Sequence, residues 1–186
     1  MRFVVTGEWR QNRLLLLILA AFLVYVALFW LTNALLFFTH MGFSYEAVVA
    51  HYLGSEEAFA QPRSFKVLLE VSHAHLFSMG ILLLTMTHLV LFVPLRGSVK
   101  AALVVASFAA ALADEAAGWL VRYVHPGFAY LKLAGFAGLQ ITLAAMIVLV
   151  AGTIWRPAPG VPGPRRRVRR SRHAEPPVDG GPSGPG

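Results

Sequence analysis

Apolar residues along this chain are gathered into four long blocks, separated by short polar segments. Each block reaches or exceeds the roughly 20 residues that a helix needs to cross a hydrocarbon core about 30 Å thick. An isolated β-hairpin would leave unpaired edges in lipid, so the blocks are interpreted as helices. The pattern predicts an all-α integral membrane protein. It is a bundle of four transmembrane helices at about residues 14–39, 65–94, 99–123 and 128–155.

The connection between the first two blocks, residues 40–64, is the longest of the connections. Tyr45, Val48 and Tyr52 recur in it at helical spacing, and Ser44 can cap the N-terminus of a helix there. We therefore expect a short helix at residues 45–53. Its aromatic side chains favour a position in the membrane interface, within the first outer loop.

Positive charge is concentrated in particular segments. The formal net charge is +7, and seven of the 16 Lys and Arg residues lie in residues 156–186. Three arginines precede the first block, and Arg96 and Lys100 lie in the second connection. Because cytoplasmic loops are enriched in Lys and Arg, we expect a multi-pass protein of the cell (inner) membrane with both termini in the cytoplasm. The first block is too long for a signal peptide and should be retained.

The segment at residues 157–186 is rich in Pro, Gly and Arg and nearly devoid of apolar residues. It cannot bury enough surface to offset its ordering entropy, so it is predicted to be a disordered, basic, cytoplasmic tail. Beside a membrane helix, its arginines favour contact with anionic lipid over nucleic acid. The absence of cysteine excludes disulfides, thiolate metal sites, iron–sulfur clusters and covalently attached c-type haem.

Ionisable residues interrupt the second and third apolar blocks, where each costs roughly 2.5 kcal/mol or more unless it has a partner. They therefore indicate a functional site. Since successive helices alternate in direction, all except His88 should lie at the outer end of the bundle. His40 and His125, near helix ends, should join them there. The set within and next to the two blocks is Glu70, His73, His75, His88, Asp114, Glu115 and Arg122.

Two cofactor chemistries could use these groups. In the first, a haem b is bound by His73 or His75 together with His40 or His125, and cations neutralise its propionates; the candidates for that role are Arg122 and Lys132. In the second, copper or zinc is bound without haem, through His73, His75, Glu70 and Asp114.

A third interpretation needs no cofactor. The carboxylates Asp114 and Glu115 would form ion pairs with Arg122 and Lys132, and histidines near helix ends would cap those ends. His88 would then be a satisfied histidine of the inner leaflet, although it could also act as a ligand across a subunit interface. The protein would be a non-catalytic membrane subunit whose polar cluster is structural.

The segment from His73 to Gly80, with the sequence HAHLFSMG, and Pro94 at the inner end resemble one membrane helix of the haem-copper oxidase and nitric oxide reductase catalytic subunits. In that family, histidines on such helices ligate haem, so the resemblance implies haem ligation by His73 or His75. It covers about 22 residues. The rest of the chain departs from the family, which has many more helices, and oxygen or nitric oxide chemistry is not implied.

Hydrolase and nucleotide-binding functions are disfavoured, because the chain has no nucleophile–base pair, phosphate-binding loop or zinc-protease motif. The sequence therefore predicts a small membrane protein that binds a haem b on the outer side and acts in electron transfer. Non-haem copper or zinc binding and a purely structural subunit are the alternatives. Expected partners are the lipid bilayer and other membrane redox subunits or further copies of the chain.

Overall fold

The computed structural model describes residues 12–56, 59–155 and 184. The chain divides into two units, residues 1–156 and residues 157–186. The predicted disordered tail therefore lies outside the described residues, apart from Gly184. The described part of the first unit is helical, and its elements are α1 (Arg13–His40), α2 (Tyr45–Leu53), α3 (Phe65–Val90), α4 (Gly97–Tyr123) and α5 (Ala129–Trp155), with a short 3₁₀ turn at Pro126–Phe128.

Four of these helices, α1, α3, α4 and α5, are long and apolar enough to cross a membrane. They contain 28, 26, 27 and 27 residues, so each is about 40 Å long. The predicted fold class, an all-α membrane protein with four transmembrane helices, is confirmed. The short helix α2 has the same bounds as the predicted interfacial helix.

Side-chain caps explain where three helices begin. Asn12 accepts hydrogen bonds from the Leu14 and Leu15 backbone N–H groups, and Ser44 and Ser64 cap α2 and α3 in the same manner. At its other end α3 stops at Val90, four residues before the predicted end at residue 94. Residues 91–94 form turns instead, consistent with the restriction that a proline places on the residue before it.

Helix α5 is the centre of the bundle and contacts each of the other helices. Its closest neighbour is α4, because Gly135 has no side chain to hold the backbones apart. A Cβ atom at Gly135 would lie 2.6 Å from the Asp114 backbone nitrogen. Helix α3 packs against α4 and α5, and α2 lies against α4 and α5 near one end of the bundle. We call that end the α2 end.

Helix α1 is the most peripheral transmembrane helix. It packs against α5 and makes few contacts with α3 or α4. Two interactions with α5 hold it: the Trp30 indole donates a hydrogen bond of 3.0 Å to the Gln140 carbonyl, and the Phe37 and Phe136 rings stack 3.6 Å apart. A space between α1 and α3 remains, and it leads into the site.

Candidate functional site

A cavity of about 460 Å³ lies between α1, α3, α4 and α5 near the α2 end. Its size falls in the range typical of small-molecule and cofactor sites. Apolar side chains line its deeper part, including Met79, Leu83, Phe108 and Leu139, while ionisable side chains line the part nearer α2. The cavity is thus polar at one end and apolar at the other.

The first polar feature of the cavity is an ion pair between α4 and α5. The Lys132 ammonium lies 2.9 Å from Asp114 Oδ1 and donates a hydrogen bond of 3.0 Å to the Asp114 carbonyl. Both side chains are largely buried, and Asp114 lies about 13 Å from the end of α4 at Tyr123. The close approach at Gly135 brings these two helices together at this depth. Since each charge alone would be costly in lipid, their pairing offsets that cost.

A second polar group joins α3 to α4. The Trp119 indole donates a hydrogen bond of 2.7 Å to Ser72 Oγ, and the Ser72 hydroxyl donates to Glu115 Oε1. The other carboxylate oxygen of Glu115, Oε2, lies 3.6 Å from His75 Nδ1. The hydrogen bonds fix the orientation of the Glu115 carboxylate, and the carboxylate in turn faces the His75 ring.

Helix α2 covers the polar end of the cavity with Tyr52 and His51. Tyr52 is 6% exposed, and its hydroxyl approaches α4 at Gly118, where a Cβ atom would lie 2.9 Å from it. Burial raises the pKa of Tyr52, and the neighbouring Lys132 ammonium opposes that rise. Gly118 therefore permits α2 to sit directly against α4 and to bring its side chains to the cavity.

Three histidines line the cavity: His40, His51 and His75. His40 Nδ1 lies 3.0 Å from the Leu36 carbonyl, and His51 Nδ1 lies 3.2 Å from the His40 carbonyl. A carbonyl oxygen can only accept, so both Nδ1 atoms are donors, and in the neutral rings Nε2 is left as the free base. Burial, and then the charge of Arg63, lower the pKa of His51 to about 4, which keeps its ring neutral near pH 7.

The structure brings together only part of the predicted site. His40, His75, Asp114 and Glu115 all line the cavity. His73 is exposed on α3 and is not part of the cavity lining. The reason is geometric: residues two apart on a helix differ by about 200° in direction, so His73 and His75 cannot face the same cavity.

Glu70 is also directed away from the cavity. Its side chain is 63% exposed, and it lies 3.8 Å from Lys66 one turn earlier. Within the described part of the chain, no group of three or more histidine, aspartate or glutamate side chains could hold a metal ion. The copper or zinc set proposed from the sequence, His73, His75, Glu70 and Asp114, is therefore not assembled.

Three further residues that the sequence suggested for a cofactor site lie outside the cavity: Arg122, His125 and His88. Arg122 Nε donates to the Arg63 carbonyl at 2.9 Å, and its guanidinium lies over the Tyr123 ring. His125 is exposed and accepts a hydrogen bond from the Gly127 N–H, so it caps the 3₁₀ turn as the structural interpretation expected. His88 is exposed at the opposite end of α3, with its ring edge against Phe92. None of the three lines the cavity.

Sequence reasoning missed Trp119 and gave Ser72 no role. A signal for both was present, because Ser72 precedes His75 by three residues on α3 and Trp119 follows Glu115 by four on α4. Residues at these spacings share a helix face. Tyr52 was expected only as an interfacial aromatic residue, and its part in the cavity depends on the space at Gly118.

Comparison with known protein families gives a match. The family model Aq_1264_TM, described as a transmembrane helical domain, matches residues 42–160. The match begins after α1 and spans α2 to α5, which covers more than half of the chain. No curated protein and no solved structure matches the chain. The chain therefore belongs to the Aq_1264_TM family of transmembrane helical domains.

Proposed function

We propose that the protein binds a haem b in the cavity, where His75 would hold it, and acts in electron transfer within the membrane. The observation that carries this proposal is the set of three cavity-lining histidines whose Nδ1 atoms each face an acceptor. Histidines that bind metal typically have the other ring nitrogen held by a carboxylate or a backbone carbonyl. Nε2 of each ring is then available to iron.

Haem accounts for the arrangement better than a copper or zinc ion. A zinc or copper site needs three or more ligands around one point, whereas haem iron needs one or two axial side chains. The described residues offer histidines spread around a partly apolar cavity, and no compact group of ligands. His40, at the end of α1, is the candidate for a second histidine that would hold the haem, and His73 and His125 are removed from consideration because they do not line the cavity.

The surrounding residues have defined tasks in this proposal. Glu115 orients the His75 ring, and Ser72 and Trp119 hold Glu115. Arg63, which lines the cavity near His51, replaces Arg122 as the cation that faces a propionate. When bound, haem b supplies a one-electron change between ferric and ferrous iron. The apolar lining excludes water from it.

Orientation in the membrane belongs to the same proposal. Arg96 and Lys100 lie in the connection at the end opposite α2, and the arginines of the tail follow α5 in the sequence. The positive-inside rule assigns that end to the cytoplasm of the cell membrane, and the cavity to the non-cytoplasmic side. Electron-transfer partners, whether other membrane subunits or copies of this chain, would approach there.

An absorption spectrum tests the proposal. Protein expressed with sufficient haem and purified in detergent should show a Soret band that shifts on reduction. His75→Ala should remove the band, and the matched control His73→Ala, two residues away but outside the cavity lining, should keep it. A colourless wild-type protein, or equal loss in both variants, would show that the proposal is wrong.

A structural subunit is the second candidate, and the Lys132–Asp114 ion pair between α4 and α5 favours it. In that case, His75→Ala should leave a haem-free protein as well folded as the wild type. The double variant Asp114→Leu, Lys132→Met should remain folded, whereas Lys132→Met alone should unfold it by leaving one buried charge unpaired.

A further inference from the structure

The cavity reaches the lipid-facing surface of the bundle between α1 and α3. Leu36 of α1 and Leu76 of α3 both line the cavity, and both are more than half exposed, at 56% and 53%. A residue can do both only at the rim of an opening. Since the helices flanking this opening are transmembrane, the opening faces acyl chains and not water.

The space inside is elongated along the helix axes. On α3 its lining runs from Val67 to Leu83, a rise of about 24 Å. Its deep end is apolar, and at Gly80 a Cβ atom would meet nothing within 4 Å. The cavity therefore suits a long apolar body that lies parallel to the helices.

The polar end carries a cation that the described residues do not neutralise. Arg63 is half-buried, lines the cavity beside His51, and forms no ion pair with any residue that the structure describes. Its backbone is held by the hydrogen bond from Arg122. The other charged groups of the lining have partners, since Lys132 pairs with Asp114 and Glu115 accepts from Ser72. A half-buried guanidinium in this position favours an anionic ligand group.

We infer that the cavity takes its ligand sideways from the bilayer, through the opening between α1 and α3, and selects amphipathic molecules with an anionic head group. The apolar body lies along α3, and the anionic group meets Arg63. This inference rests on the cavity of the proposed function but not on iron. Haem b, with its propionates, is one member of the class, and an acyl chain with a carboxylate is another.

A fluorescent fatty acid, cis-parinaric acid, tests the inference with the purified full chain. Energy transfer from tryptophan, including Trp119 in the cavity wall, should report saturable binding that palmitate competes away. Gly80→Phe fills the cavity and should abolish the saturable component. Gly152→Phe is the matched control, because its Cβ also meets nothing within 4 Å but Gly152 does not line the cavity. It should bind like the wild type.

A second variant tests the head group. Arg63→Gln should weaken binding of cis-parinaric acid about tenfold, the effect expected for one lost charge-assisted hydrogen bond. It should leave binding of the uncharged methyl ester unchanged. Thermal unfolding checks that each variant is folded, and Gly80→Leu replaces Gly80→Phe if the larger side chain prevents folding.

The outcomes separate this inference from the haem proposal. Saturable fatty-acid binding without haem binding supports the inference and overturns the haem proposal. Haem binding, combined with no saturable fatty-acid binding by the haem-free protein, supports the haem proposal and overturns the inference. Wild-type affinity in the folded Gly80 variant, or an equal effect of Arg63→Gln on the acid and its ester, also overturns the inference.

Discussion

His51 illustrates how one side chain can hold two helices at the cavity. Its ring donates to the carbonyl of His40, the last residue of α1, while its own helix α2 rests on α4 and α5. The bond uses a carbonyl that the end of α1 leaves without a helical partner. Burial, and then the charge of Arg63, lower the pKa of this histidine, whereas its hydrogen bond to the His40 carbonyl raises it. Protonation of the ring therefore opposes its burial and leaves the hydrogen bond itself in place.

The pKa of His51 is about 4 in the folded protein and 6.5 in the unfolded chain. Between these two pH values the unfolded chain therefore binds more protons than the folded protein. Stability from the neutral ring is complete above about pH 6.5 and decreases as the pH falls toward 4. Thermal unfolding temperatures measured from pH 7.5 to 4.5 should show this decrease, and His51→Gln should reduce it.

His73→Gln is the control, since it leaves His51 in place and should retain the wild-type pH profile. The same slope in His51→Gln and the wild type would contradict the assignment to His51.

For single residues, the sequence identifies which side chains are candidates for the site more readily than it shows which way each side chain points. Ionisable residues in apolar blocks identify His75, Asp114 and Glu115 as candidates, and helical spacing separates His73 from His75. Which of the two faces inward depends on where α4 and α5 lie, and a local pattern does not contain that information. Tyr52 could not be assigned either, because its position depends on the missing side chain at Gly118.

Among the helices, α5 is the one that packs against all the others. Its Gln140 accepts from Trp30 through the backbone carbonyl, yet both polar atoms of the Gln140 side chain are buried and have no hydrogen-bond partner among the described residues. A buried amide without partners destabilises the folded state.

Gln140→Met should therefore raise the free energy of unfolding by about 1 kcal/mol, since it removes the unsatisfied amide at similar volume. Unfolding by SDS, followed by circular dichroism, measures the change. Gln140→Glu should act in the opposite direction by burying a carboxylate. A loss of stability in Gln140→Met would show that the amide has a favourable interaction.

Helix positions follow from the sequence because their causes are local. Apolar length defines the four spans, and Ser44 with its helical repeat defines α2. The end of α3 at Val90 could not be predicted from the sequence, because apolar residues continue to Pro94. Only the turn geometry of residues 91–94 shows where the helix stops. The packing of α1 mainly against α5 could not be predicted, since it depends on contacts between distant segments.

For the whole molecule, the predicted topology can be tested directly because the chain has no cysteine. Single cysteines at Phe59, which is 93% exposed, and at Ser98, near the start of α4, lie at opposite ends of the bundle. A membrane-impermeant maleimide added to intact cells should label Phe59→Cys. Ser98→Cys should react only after the membrane is permeabilised.

The reverse labelling pattern would place the cavity on the cytoplasmic side and contradict the orientation that we propose. The convergence of His40, His75, Asp114 and Glu115 is independent of that result. It follows from the alternation of helix directions, which the sequence contains. The volume and opening of the cavity depend on the separation of α1 from α3, and the sequence does not reveal that separation.

The ion pair between α4 and α5 also constrains how the protein is made. A translocon that released α4 alone would expose the Asp114 carboxylate to lipid, and α5 alone would bring in an unpaired Lys132. The 3₁₀ turn at Pro126–Phe128 joins the two helices closely enough for them to leave the translocon as a hairpin. We therefore expect α4 and α5 to enter the bilayer together, so that the two charges neutralise each other before either meets the acyl chains.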